Sequence, residues 1–206
     1  MRNWIRALRA ESRYIGMATI VFIVSAIMGY LNTSGLLRAL KTAGIFAQLE
    51  QIAKSIDHNP TFLHAFLTIF TNNLLASLTM IGMGIFLGIV PFFAMLTNGL
   101  MLGVTLHLAA TESHASPFFV FFTTILPHGI VELPAAILAA AFGIRLGMAV
   151  IRRFFSFLSP ALMERSKAEW QGIRQRIIPI LLTIGLLLLV AALIETSLIL
   201  YVKPLG

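Results

Sequence analysis

The sequence predicts an all-α fold, a polytopic membrane helical bundle of about five spans with one of them discontinuous. Three observations carry this. The chain is 58% hydrophobic and only 11% charged across 206 residues. Several of its apolar runs are long enough to cross a hydrocarbon core about 30 Å thick. The polar stretches between those runs are too short to bury a soluble core of ordinary domain size, so residues 1–206 read as a single integral membrane domain. Cysteine is absent, which removes disulfides, thiolate nucleophiles and Cys-ligated zinc.

The opening stretch MRNWIRALRAESR sets Arg2, Arg6, Arg9 and Arg13 ahead of an apolar run. No A-x-A cleavage signature closes that run, so residues 14–32 read as an uncleaved first span, and the arginines hold the amino terminus in the cytoplasm. LNTSG supplies turn chemistry. Between residues 35 and 58, Leu36, Leu40, Phe46, Leu49, Ile52 and Ile56 recur at helical spacing among Lys41, Gln48, Gln51 and Lys54. That pattern is an outer amphipathic helix too polar to span, either a connector on the membrane face or a docking surface for an extracytoplasmic partner through Leu40 and Ile52.

Asn59-Pro60 breaks the chain before a second span over 62–90, and Pro91 forces a turn into a third over 92–110. Gly84 with Gly88, and Gly99 with Gly103, sit four apart, so each pair shares a helix face and admits a close backbone neighbour. The same pairs allow self-association as a homodimer. After the polar loop TESHASP, residues 118–148 form a fourth span broken at 127–134. Residues 151–176 then interleave arginines with Phe154, Phe155, Phe157 and Trp170, a cytoplasmic basic amphipathic segment suited to anionic lipid headgroups rather than nucleic acid. Ser159-Pro160 restarts a helix there, and the last span runs over 177–201. This layout puts eleven Lys and Arg inside against four outside, with the carboxyl terminus extracytoplasmic, as the positive-inside rule requires of a plasma-membrane protein.

The chemistry concentrates in PHGIVELPAA. Proline has no N–H, so Pro127 frees the carbonyl of Thr123 and Pro134 that of Ile130, with Gly129 between them letting the chain bend. Bare carbonyls at membrane depth must meet protein, water or an ion. His128 and Glu132, four apart, fall on one side of the helix. With Asn72, Asn73 and Asn98 from neighbouring spans they form the candidate buried polar cluster, because intramembrane polar groups usually face the bundle interior. The cluster is either a structural hydrogen-bond network or a site for an ion, proton or polar head group built on a discontinuous helix. An intramembrane hydrolase is the weakest reading, since the second histidine of a zinc H-E-x-x-H and any G-x-S-x-G elbow are missing. No catalytic residue, metal or cofactor is assigned.

Three blocks, IFTNN (69–73), GIVPFFAMLTNGLMLG (88–103) and PHGIVELPA (127–135), resemble the stage II sporulation protein M family in order and spacing, over roughly residues 62–150. That resemblance implies a multi-span protein which, in endospore formers, assembles with a cell-wall lytic pair during engulfment; it implies no chemistry, and the reading of the residues is of a protein without hydrolytic activity of its own. It points to the general rather than the sporulation-specific branch. The expectation is therefore an inner-membrane scaffold or positioning subunit for envelope remodelling, with the lipid bilayer and an extracytoplasmic cell-wall-remodelling protein as partners and no nucleic acid. The alternative is a transporter or channel for an ion or small polar solute that uses the His, Glu and Asn cluster.

Overall fold

The computed structural model describes residues 2–122 and 126–201, all of them helical or in short connections, with no strand among them. Nine helices follow in order among these residues: α1 (Arg2–Ala10), α2 (Ser12–Leu31), α3 (Thr33–Thr42), α4 (Ile45–His58), α5 (Phe62–Gly82), α6 (Ile89–Glu112), α7 (Pro117–Val120), α8 (Leu126–Phe155) and α9 (Pro160–Tyr201). Among the described residues, five segments are long and apolar enough to cross a membrane: Ser12–Leu31, Phe62–Ile85, Ile89–Glu112, Gly129–Leu158 and Pro160–Tyr201. The chain is an all-α polytopic bundle.

Large apolar side chains such as Ile20, Leu31, Leu63, Leu75 and Ile178 point outward, where lipid would meet them, while the interior sets many alanines and glycines beside buried Phe142, Met95, Ile180, Ile184 and Leu188. Helices in lipid gain nothing from hiding leucine, so small residues that let backbones meet decide the packing. α8 is the central helix: 61% of its span is buried, against 22–28% for the other four, and Ala135, Ala139, Ala140 and Ala141 are fully buried.

The glycine pairs are spent inside the chain. A Cβ at Gly103 would collide with the Ala26 carbonyl, and one at Gly99 with Ser25 Oγ and the Phe22 carbonyl, which locks α6 against α2. Gly29 of α2 meets the Leu100 backbone in return. Gly84 lies on Gly143, and Gly147 of α8 lies on the Leu87–Gly88 backbone. The α5–α6 turn is therefore seated directly on α8. It closes through Leu87 at φ 59° and Gly88 at φ 74°, a left-handed pair that glycine tolerates and leucine does not favour. Pro91, expected to mark the break, is instead buried in the first turn of α6, where a missing N–H costs nothing.

Three other boundaries differ from the sequence reading. The outer element expected over 35–58 is two helices, because Gly44 at φ 74° turns the chain between α3 and α4. Its apolar face is covered by the bundle itself: Leu40 is buried, and Ile52 packs with Ile56, Ala65, Ile69 and Ala192. His64 Nε2 completes the seam, 3.0 Å from the Ser55 carbonyl and 3.2 Å from Ser55 Oγ. Leu40 and Ile52 are thus no free docking surface. The basic segment expected over 151–176 is not separate either. Its second half is the start of α9, which runs 42 residues, about 63 Å, straight into the last span.

The interruption expected at 127–134 is not found there. α7 ends at Val120 and α8 is helical from Leu126, so Pro127 falls in its first turn, and the helix passes unbroken through Gly129 and Pro134. Proline is tolerated at such a start, and packing against neighbouring helices carries α8 through Pro134 despite the lost hydrogen bond. Pro127, Gly129 and Pro134 are therefore not a break within α8.

Candidate functional site

The facing stripes of α5 and α8 locate the polar residues. Both helices run toward the end of the bundle that holds the amino terminus, and Gly84 against Gly143 fixes their register. Asn73 stands eleven residues before Gly84, and Glu132 eleven before Gly143. Eleven residues make about three helical turns, some 16 Å, and return to nearly the same face. Asn73 and Glu132 therefore stand at similar heights above the touching glycines, midway along Phe62–Ile85. Burial agrees: Ser77 and Met80 continue the Asn73 stripe and are buried, as are Ala135 and Ala139 after Glu132. Asn73 and Glu132 are themselves half-buried.

Asn72 is also half-buried and donates through Nδ2 to Asn73 Oδ1 at 3.3 Å. It follows Ile69 by three residues, which turns it toward the α4–α9 side of α5. Asn98 departs from the expected cluster. It lies between buried Met95 and buried Gly99 in sequence, but its own side chain is exposed on α6, because the face used against α2 is the glycine face. The side chains of Pro127 and His128 lie outside the described residues, so the His128 part of the cluster is not placed. Among the described residues no three His, Asp or Glu side chains converge as a metal-ligand set would.

A second polar centre was missed in the sequence. Glu11, fully buried at the joint between α1 and α2, pairs with Arg145 of α8, and Arg176 of α9 reaches the same Oε1 at 3.2 Å. Arg145 Nη1 also donates to the Ala10 carbonyl at 3.4 Å. Burial pushes the Glu11 carboxyl above the ordinary carboxylate range, against the opposing pull of the Arg145 and Arg176 guanidinium groups. Nearby, Arg152 donates to Glu169 at 2.5 Å and lies 3.5 Å from the Tyr14 hydroxyl, tying α8 to α9 and α2. The available signal was three ionisable residues at the ends of three spans. The positive-inside count absorbed the arginines without giving them a partner.

Similarity decides the family. The model of the family described as stage II sporulation protein M matches residues 18–198. This chain belongs to the stage II sporulation protein M family. The match extends well beyond the 62–150 stretch whose motifs carried the resemblance, taking in most of α2 and nearly all of α9. An uncharacterized protein of Methanocaldococcus jannaschii is 29% identical over 145 residues, covering 68% of this chain and 62% of the relative. The chain thus spans about three fifths of that relative's length. No solved structure matches. With five apolar helices and this family, the protein is a multi-pass membrane protein.

Proposed function

We propose that this member of the stage II sporulation protein M family is a non-enzymatic scaffold of the plasma membrane, amino terminus inside, which positions envelope-remodelling proteins on its outer side. The observation that carries the reading is the backbone-to-backbone seating of α6 on α2 and of the α5–α6 turn on α8, closed at one end by the buried Glu11, Arg145 and Arg176 triad. Such contacts favour a fixed frame over repeats that rock against one another, since glycine seams and buried ion pairs leave little room for sliding. A positioning subunit needs a fixed frame. The basic α9 start and the arginines of α1 support the inside assignment.

A photo-crosslinking amino acid at exposed Lys41 or Glu50, on the α3–α4 layer, tests the proposal in the native host. The expected product is an adduct with a cell-wall-active protein; adducts with lipid alone, at both positions, count against it.

One observation favours a second reading. Asn73 and Glu132 share a depth near the middle of the bundle, as a binding site for a proton or small solute in a transporter would require. In that case Glu132→Gln abolishes flux into liposomes without unfolding the protein. The scaffold reading expects no flux from the unaltered protein in the first place.

A further inference from the structure

Where α8 ends and α9 begins, a cavity of about 520 Å³ opens between the two helices. Arg152, Phe155, Leu162, Arg165, Ser166 and Glu169 line it. Its walls divide by chemistry. Phe155 and Leu162 are exposed apolar side chains, and Phe154, Phe157 and Leu158 continue the apolar surface beside them at the end of the span. Side chains of this kind at a span end are covered by acyl chains. The polar wall carries two guanidinium groups against one carboxylate, and Glu169 is already held by Arg152. Arg165 is exposed. Ser166, beside Arg165 on the lining, is 2% exposed, with its hydroxyl closed off from the cavity.

We infer that this cavity binds the phosphodiester headgroup of an anionic diacyl phospholipid, with the phosphate between the Arg165 and Arg152 guanidinium groups. Its acyl chains would run along Phe155 and Leu162. One surplus positive charge matches one phosphodiester, and the apolar wall requires a ligand with a hydrocarbon part, which selects lipid over free phosphate. The site is independent of the scaffold and transport readings, since neither requires a lipid bound in this cavity.

The test uses the full chain purified in mild detergent, with bound lipid counted by native mass spectrometry after adding equal amounts of dioleoyl phosphatidylglycerol and dioleoyl phosphatidylcholine. Phosphatidylglycerol should be retained preferentially, and Arg165→Gln should weaken that retention about fivefold. Arg174→Gln removes the same charge from an exposed position on α9 outside the cavity and should leave retention unchanged. The inference is overturned if Arg165→Gln and Arg174→Gln act alike, if the two lipids are retained equally, or if inorganic phosphate displaces phosphatidylglycerol at equal concentration. Circular dichroism of each variant separates lost binding from lost fold.

Discussion

Glu11 and Arg145, 134 positions apart in the chain, meet in a buried ion pair that joins the start of the first span to the centre helix of the bundle. Arg176 adds a third strand to the joint. Removing one partner of such a pair strands the others without a counter-charge, whereas replacing the pair by apolar side chains of similar volume often costs little. Glu11→Ala should therefore lower the unfolding free energy by about 3–5 kcal/mol. The double change Glu11→Leu with Arg145→Met should recover most of it. Denaturant unfolding in detergent measures both; a double variant as unstable as the single one rules out the charge argument.

The glycine seams predict opposite outcomes for the same substitution. Gly99→Ala drives a methyl group into Ser25 and the α2 backbone and should cost about 1–3 kcal/mol or more by overpacking. Gly185→Ala, on α9 with open space around it, should be neutral or gain up to about 1 kcal/mol in helix propensity. Thermal melting of the two variants side by side reads the difference. Equal melting points would mean that α2 and α6 are not in backbone contact.

Asn73 and Glu132 on facing stripes should couple. A double-mutant cycle of Asn73→Leu and Glu132→Leu is expected to deviate from additivity by about 0.6–1.7 kcal/mol, the range found for polar contacts between membrane helices. Additivity within about 0.3 kcal/mol would place the two side chains apart. Asn98→Leu, at an exposed position, should couple to neither.

The α3–α4 layer is held from within. Leu40→Ala should destabilise by about 2–5 kcal/mol, as a core truncation does. Loss of the His64 contact in His64→Ala should cost about 1 kcal/mol and raise hydrogen exchange in α4 while leaving α8 protected. Exchange rising equally in both helices would show that α4 is not a separate unit.

Much of this was legible in the residues, and the division has a physical basis. Hydropathy sums over a segment without reference to any other segment, so the five spans, the restart of a helix at Pro160 and the glycine pairs at a spacing of four could be read from the chain alone. The glycines announced close approach but not its partner: that Gly99 and Gly103 meet α2, and Gly84 and Gly88 meet α8, depends on how the helices are rotated and slid against one another. The same rotation put Asn98 outside and Leu40 inside, against the expectations that a polar residue in an apolar helix turns inward and that an amphipathic helix offers its apolar stripe to a partner. Glu11, Arg145 and Arg176 were visible only as charges near span ends, because a count of positive residues by side contains no pairing. By itself the sequence determined a membrane bundle and its family motifs. Tertiary structure alone decided which polar groups share a depth and which charges are buried together, since register and rotation are properties of helix pairs and no local pattern encodes them.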